Sequence, residues 1–251
     1  MFRTEKKDAV CEKHGTFVQD VLFILNKPRY RICPKCVEEE KIAEEEKRIK
    51  KEKQEKQREI ERLLSVSGIP EIFKDASFKK YETNEKNIEI VEFAKKYVVD
   101  FKSNNGESIV FHGETGVGKS MLSCVIANNL IARCNTVLFI TLSDIFKQIK
   151  ETWKKNSELS ESDVINSFLS VDLLIIDEVG LKQLRENDDA LLFDVIDGRI
   201  LKRKPFIITT NKSPDLLFKF VGDRIASRII GVCKGRIIGF DGVSDYRING
   251  E

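Results

Sequence analysis

The chain predicts an α/β fold, a parallel sheet with crossover helices, preceded by a small cysteine-bearing module and a charged helix. Three observations carry this. Four short apolar runs, residues 108–111, 136–142, 171–176 and 205–210, are separated by stretches of helical periodicity, the alternation that builds parallel sheets. Residues 38–64 are nearly all Glu, Lys, Arg and Gln. Cys11, Cys33, Cys36 and His14 all fall within the first 37 residues.

Three regions follow: 1–37, a metal-type module; 38–66, a charged helical linker; and 67–251, the α/β domain. At 251 residues and 41% hydrophobic, the chain suffices for one good-sized core plus a small accessory module. The net charge is only +2 although 33% of residues are charged, so any contact with nucleic acid or membrane has to be local. No run of about 18 apolar residues exists and the N-terminus lacks the apolar stretch of a secretory signal, so a soluble cytoplasmic protein is expected. Cys124, Cys134 and Cys233 lie among apolar neighbours and are expected as reduced core residues.

In the linker, Glu44/Arg48, Glu46/Lys50 and Glu52/Lys56 stand at i,i+4 with the acid first, which favours helix. Ile42, Ala43, Ile49 and Ile60 are too sparse for a coiled-coil seam, so a solvated spacer helix is expected. At about 1.5 Å per residue it would span roughly 40 Å. Gly68 and Pro70 end it. A further helix is expected from an Asn84 cap, with Ile88, Val91, Tyr97, Val98 and Phe101 on one face.

Directly after the first apolar run, Gly113-Glu114-Thr115-Gly116-Val117-Gly118-Lys119-Ser120 fits G-x-x-x-x-G-K-[ST]. Glycines at these places let backbone N–H groups curl round phosphate oxygens, while Lys119 reaches the β and γ phosphates and the Ser120 hydroxyl ligates Mg²⁺. The helix that follows points its positive end at the anion, so ATP with Mg²⁺ is expected. The third apolar run ends in Asp177-Glu178. An all-apolar strand is buried, so these carboxylates emerge at its carboxyl end, where ligands bind in open α/β sheets. Asp177 would hold Mg²⁺ and Glu178 would orient and activate the attacking water. Asn211, ending the fourth run, either bonds the γ-phosphate or the lytic water, or opens an Asn-Lys-Ser-Pro turn. Phosphoryl transfer gains from a further cation, for which Arg224, Arg228 and Arg247 are candidates, with a plain surface role as the alternative.

Together and in this order, the motifs resemble an AAA+ ATPase and, more closely, the DnaC-type bacterial and phage helicase loaders, with IstB-type transposition ATPases as near relatives. The resemblance runs from about residue 68 to residue 247. "GETGVGKS" resembles the family's Walker A, "LLIIDEVG" its Walker B, "TTN" its sensor 1, "GDRIASRI" its arginine-finger box and "SDYR" its sensor 2. It implies catalytic roles for Lys119, Glu178, Asn211, Arg228 and Arg247. A finger acts on the ATP of a neighbouring subunit, so the resemblance further implies a ring or spiral with ATP between protomers.

Cys11-x-x-His14 and Cys33-x-x-Cys36 form two ligand pairs whose soft thiolates and imidazole suit a tetrahedral structural Zn²⁺. So short a module buries little core, so metal would supply its folding energy. Some phage-type loaders carry a zinc-bearing arm, and this chain is similar to them. DnaC-type loaders grip the replicative helicase through their N-terminal domain, and the resemblance implies that partner here. Arg29, Arg31 and Lys35 offer nucleic acid contact as an alternative.

Residues 143–155, with Ser143 or Asp144 as cap, present Lys147, Lys150, Lys154 and Lys155 beside Phe146 and Trp153, which suits single-stranded DNA. Ile145, Ile149 and Trp153 at helical spacing suit ordinary core equally well. The leading expectation is an ATP-dependent loader that binds a replicative helicase and single-stranded DNA, with hydrolysis as its release switch. Two others stay open: an IstB-type transposition regulator on duplex DNA, and a zinc adaptor whose nucleotide site is only structural. Glu178 argues against the last, since a non-hydrolysing site needs no base.

Overall fold

The structure, a computed structural model, describes residues 3–24, 27–29, 32–185 and 187–243. Arg31 and Arg247 lie outside them. The chain divides into two compact units, Met1–Arg58 and Glu59–Glu251.

In the first unit, β1 (Arg3–Cys11) and β2 (Gly15–Ile24) form an antiparallel hairpin whose register runs from Arg3↔Phe23 to Cys11↔Gly15, and β3 (Lys27–Arg29) pairs with β2. Gly15 closes the hairpin turn at φ +75°, a conformation that side chains with a Cβ resist. This sheet was not expected, because Arg-Thr-Glu-Lys-Lys-Asp on β1 carries no apolar alternation for a period-2 reading. The long helix α1 (Pro34–Val66) starts on a proline, whose missing N–H costs nothing at a first turn.

The charged linker is thus one continuous helix that begins within the cysteine module. Ile42 and Ile49 are exposed, as a solvated spacer requires. The ion pairs differ from those expected. Arg48 meets Glu45 at 2.6 Å and Glu52 at 3.7 Å, and Lys51 meets Glu55 at 3.8 Å. All are exposed, where such pairs contribute little and exchange readily.

In the second unit, the end of α1 turns apolar, and Ile60, Leu63 and Leu64 pack into its core. After a 3-10 turn at Glu71–Phe73 come α2 (Ile88–Asp100), β4 (Ile109–His112), α3 (Lys119–Ile131), β5 (Val137–Thr141), α4 (Leu142–Glu151), α5 (Glu161–Ser170), β6 (Leu173–Asp177), α6 (Asp188–Leu201), β7 (Phe206–Thr210), α7 (Pro214–Val221), α8 (Asp223–Cys233) and β8 (Ile237–Gly239). The five strands are ordered β5-β6-β7-β4-β8, all parallel, so β7 lies between the strands carrying the glycine loop and Asp177. Strand β8 escaped the sequence reading because Ile237-Ile238-Gly239 is short. One apolar cluster, with α2 and α3, covers one face of the sheet, and a second, with α4 to α8, covers the other. Burial on both faces explains why β6 and β7 read as unbroken apolar runs.

Three details depart from expectation. The cap of α2 is Asn87 rather than Asn84, and Ile88 is exposed, whereas Val91, Tyr97, Val98 and Phe101 are buried. The cap of α4 is Thr141, whose side chain accepts from Asp144 N at 3.1 Å, rather than Ser143 or Asp144, so the helix begins at Leu142, and it ends at Glu151 rather than near residue 155. Cys124 and Cys233 are core residues, but Cys134 is exposed in a left-handed turn at φ +61°, where α3 ends.

Segment 67–76, leading into the core, is anchored twice. Phe139 N donates to Ser67 O at 2.7 Å, and a Cβ on Gly68 would lie 2.3 Å from Phe139 O, so only glycine fits. Asn128 Nδ2, on α3, donates to the carbonyls of Phe73, Lys74 and Ala76 at 2.9, 3.1 and 2.8 Å. Phe73 is thereby held at the rim of the cavity described next.

Candidate nucleotide site and metal cluster

Because the strands are parallel, their carboxyl ends meet at one edge of the sheet, and every Walker-type residue arrives there. Gly113, Gly116 and Gly118 have φ of +145°, +85° and +91°, a loop whose amides can turn inward. Lys119 heads α3, is 8% exposed, and donates through Nζ to Gly113 O at 2.9 Å and Glu114 O at 2.5 Å. The loop's own carbonyls thus occupy the ammonium that a phosphate would claim.

Ser120 Oγ donates to Asp177 Oδ1 at 2.7 Å, and Thr209 Oγ1 donates to the same oxygen. A hydroxyl and a carboxylate oxygen placed side by side are the hard donors that Mg²⁺ takes from protein, so these residues fit that ion. Glu178 follows at φ +58°, a left-handed turn that costs a non-glycine residue on the order of 1–3 kcal/mol and is a mark of functional sites. Its amide donates to Thr209 Oγ1 at 3.2 Å and Val179 N to Thr209 O at 2.9 Å. Thr209 therefore ties both carboxylate positions to β7, a role that the sequence reading missed. A threonine one place before the sensor-type Thr210-Asn211 pair was the available signal.

A cavity of about 260 Å³ brings together Thr115, Gly118, Lys119, Ser120, Glu178 and Asn211, with Phe73 on its wall. In the bend after β7, Lys212 N donates to Thr210 Oγ1 at 3.1 Å. Asn211 also lines a neighbouring cavity of about 410 Å³ with His112, Glu114, Lys212 and Asp241. Burial holds His112 below the usual imidazole range, with Asp241 opposing it.

The arginines on α8 stand elsewhere. Arg228 Nε lies 2.9 Å from Asp197 Oδ1 of α6 and is half exposed, while the Arg224 guanidinium stacks 3.6 Å from the Phe193 ring centroid. Neither lines the cavity that holds Lys119 and Glu178.

Along α4, Ile145, Phe146 and Ile149 are buried, so the core reading holds for them and Phe146 is not free to stack on a base. Trp153, 53% exposed and beyond the helix end, donates through Nε1 to Glu161 at 2.5 Å. Lys150 is drawn into an ion pair with Asp188, itself 4% exposed. Lys147, Lys150, Lys154, Lys182 and Arg185 line a groove of about 720 Å³ together with Asp144, Glu151, Glu178 and Asp188, the last paired with Lys150.

In the first unit, one ligand atom from each of Cys11, His14, Cys33 and Cys36 lies within 4.8 Å of the others. His14 Nδ1 stands 3.7, 3.7 and 3.3 Å from the sulfurs of Cys11, Cys33 and Cys36, and Cys11 Sγ is 3.5 Å from Cys36 Sγ. Tetrahedral zinc with Zn–S near 2.3 Å and Zn–N near 2.0 Å sets such edges at about 3.5–3.8 Å, so the four residues fit the ion. Backbone amides of Lys13 and His14 hold the Cys11 thiol down to about 6.

Parallel order, glycine loop, paired carboxylates and polar β7 terminus define an AAA+ P-loop nucleotide-binding domain. The family model for IstB-like ATP-binding proteins matches residues 39–230, and the chain belongs to that IstB/DnaC-like family. It is 31% identical over 172 residues to the replicative helicase loader DnaC of Escherichia coli K12, covering 68% of this chain and 69% of that one. The DnaC of Buchnera aphidicola (strain Bp) is 30% identical over 172 residues, covering 68% and 70%. Among solved structures, a DnaC helicase loader superposes with TM-score 0.60 at 19% identity over 68% of this chain and 98% of that one. AMPPCP-bound DnaA from Aquifex aeolicus superposes with TM-score 0.59 at 22% identity, over 71% of this chain and 53% of that one. No helix among the described residues is long and apolar enough to cross a membrane.

Proposed function

We propose that the chain is an ATP-dependent loader of a replicative helicase, which binds the helicase through its N-terminal zinc module and single-stranded DNA through its AAA+ domain. The observation that carries this reading is the Ser120–Asp177 pair with Glu178 beside it and Lys119 in the same cavity, in a chain whose relatives are named as helicase loaders. ATP would sit with its phosphates in the Gly113–Ser120 loop. Lys119 would exchange its loop carbonyls for phosphate oxygens. Ser120 and Asp177 would hold Mg²⁺, which supplies charge neutralisation when bound. Glu178 orients the attacking water and takes its proton, and Asn211, at the end of the neighbouring strand β7, fixes that water or the γ-phosphate.

Self-assembly into a ring or spiral fits Arg228, which is half exposed and outside its own chain's nucleotide cavity, as a group acting on a neighbour's ATP must be. Single-stranded DNA fits the groove of Lys147, Lys154, Lys182 and Arg185. Glu178 lines both that groove and the nucleotide cavity, so DNA in one can bias hydrolysis in the other. The four zinc ligands precede residues 39–230, so the module is separate from what the family model describes and is the natural place for partner choice.

The test is co-purification of the full chain with a replicative DnaB-type hexamer, with and without ATP, alongside the Cys33→Ser variant. Capture of the helicase by the wild type and its loss with Cys33→Ser is the expected result. Equal capture by both would remove the zinc module from docking, and no capture by either would remove the loader reading.

A further inference from the structure

The zinc module contains one carboxylate whose position is explained by neither the helix nor the ligand set. Glu39 stands one helical turn after Cys36 on α1, and its Oε1 lies 3.0 Å from His14 Nε2. Its other oxygen, Oε2, accepts from Lys13 Nζ at 2.6 Å. The opposite ring nitrogen, His14 Nδ1, is the atom that faces the three sulfurs. With a metal on Nδ1, the ring would keep its proton on Nε2, the nitrogen that faces Glu39 Oε1. The carboxylate also makes the ring a stronger donor to a metal.

We propose that Glu39 is the positioning residue of the zinc site, which selects His14 Nδ1 as the metal-bound nitrogen and joins the β1–β2 turn to the first turns of α1. This deepens the zinc reading and rests on it. The charge arrangement suits the role. Three thiolates and one neutral imidazole around Zn²⁺ leave a net negative site, to which a further carboxylate would be unwelcome on Coulombic grounds alone. Lys13, adjacent to His14 in the turn, supplies the compensating charge. Glu45, Glu52 and Glu55 pair along the helix itself, whereas Glu39 reaches across to the hairpin. The helix is therefore tied to the hairpin by Cys33, Cys36 and Glu39 together, and metal occupancy would fix its starting phase.

The experiment measures zinc affinity of the full chain by chelator competition, with elemental analysis of the purified wild type as the reference. Glu39→Ala is expected to weaken zinc by about 10- to 100-fold, the usual effect of losing such a partner. Glu39→Gln keeps a carbonyl acceptor for His14 Nε2–H and is expected to recover most of that loss. Lys13→Ala, which removes the ion pair and keeps the carboxylate, is expected to stay within a few-fold of the wild type. The specific readout is the ¹⁵N spectrum of the His14 ring, expected to show metal on Nδ1 and a slowly exchanging proton on Nε2, whose exchange accelerates in Glu39→Ala. Unchanged affinity in Glu39→Ala, or metal on Nε2, would overturn the proposal while leaving the zinc reading intact. Wild-type protein purified without chelator and carrying no zinc would overturn both.

Discussion

Ser120 and Asp177, 57 positions apart in sequence, share a hydrogen bond of 2.7 Å at the carboxyl edge of the sheet. Neither the first turn of α3 nor the end of β6 alone makes a metal-type site. The bond exists because β4 and β6 run parallel with β7 between them, and Thr209 on β7 braces the same carboxylate.

This division of labour predicts distinct failures. Lys119→Ala removes the phosphate-directed cation and is expected to abolish measurable ATP binding by fluorescent-nucleotide titration. Glu178→Gln keeps the fold of the site and is expected to bind ATP normally while turnover drops on the order of 100-fold or more. Thr209→Val, which unties Asp177 and the Glu178 amide without touching phosphate, is expected to lower turnover with little change in affinity. Wild-type turnover in Glu178→Gln would remove that carboxylate from catalysis.

For the cysteine cluster, the expected content is about one Zn²⁺ per chain by elemental analysis, since four ligands close one tetrahedral site. Chelation is expected to melt the hairpin while the ATPase core keeps its own unfolding transition, because buried apolar clusters hold that core independently of metal. A single transition that shifts as a whole with chelator would contradict it.

The nucleotide site was legible because phosphate chemistry demands fixed residue types at fixed spacing, and Gly113 to Ser120 and Asp177-Glu178 meet that demand within one motif each. Thr209 was not legible: its contribution depends on β7 inserting between two strands, which is a tertiary event. The grouping of Cys11, His14, Cys33 and Cys36 was legible from spacing, yet the hairpin carrying Cys11 and His14 was not, since β1 is rich in charge and lacks the alternation by which a strand is read. On α4, the pattern could not separate core from DNA contact, because a helix with one apolar face and one basic face satisfies both.

Burial now separates the apolar residues of that helix from its lysines, and the lysines divide into two predictions. Lys147→Glu and Lys182→Glu reverse charge in the groove and are expected to weaken single-stranded DNA binding and flatten its salt dependence, at unchanged thermal stability. Lys150→Ala is expected to act through stability instead, because it leaves Asp188 buried without its cation, a loss of up to about 3 kcal/mol. Thermal melts set beside DNA titrations separate the two, and a Lys150→Ala protein that melts with the wild type but loses DNA would reverse the assignment.

Arg228 presents the sharpest test of assembly. In its own chain it pairs with Asp197 and stays out of the cavity holding Lys119, so a catalytic part requires a neighbour. Arg228→Ala is expected to keep ATP binding and lose the hydrolysis stimulated by DNA or assembly, by on the order of 10³-fold if it supplies the transition-state cation. Glu178→Gln is inactive for a different reason, in the cavity of its own chain. Mixing the two proteins creates interfaces at which an intact Glu178 of one subunit faces an intact Arg228 of the next, and activity is expected to return. Arg224, stacked on Phe193 on the same helix face, takes over the role if mixed assemblies form, as followed by differently tagged chains, and hydrolysis does not return.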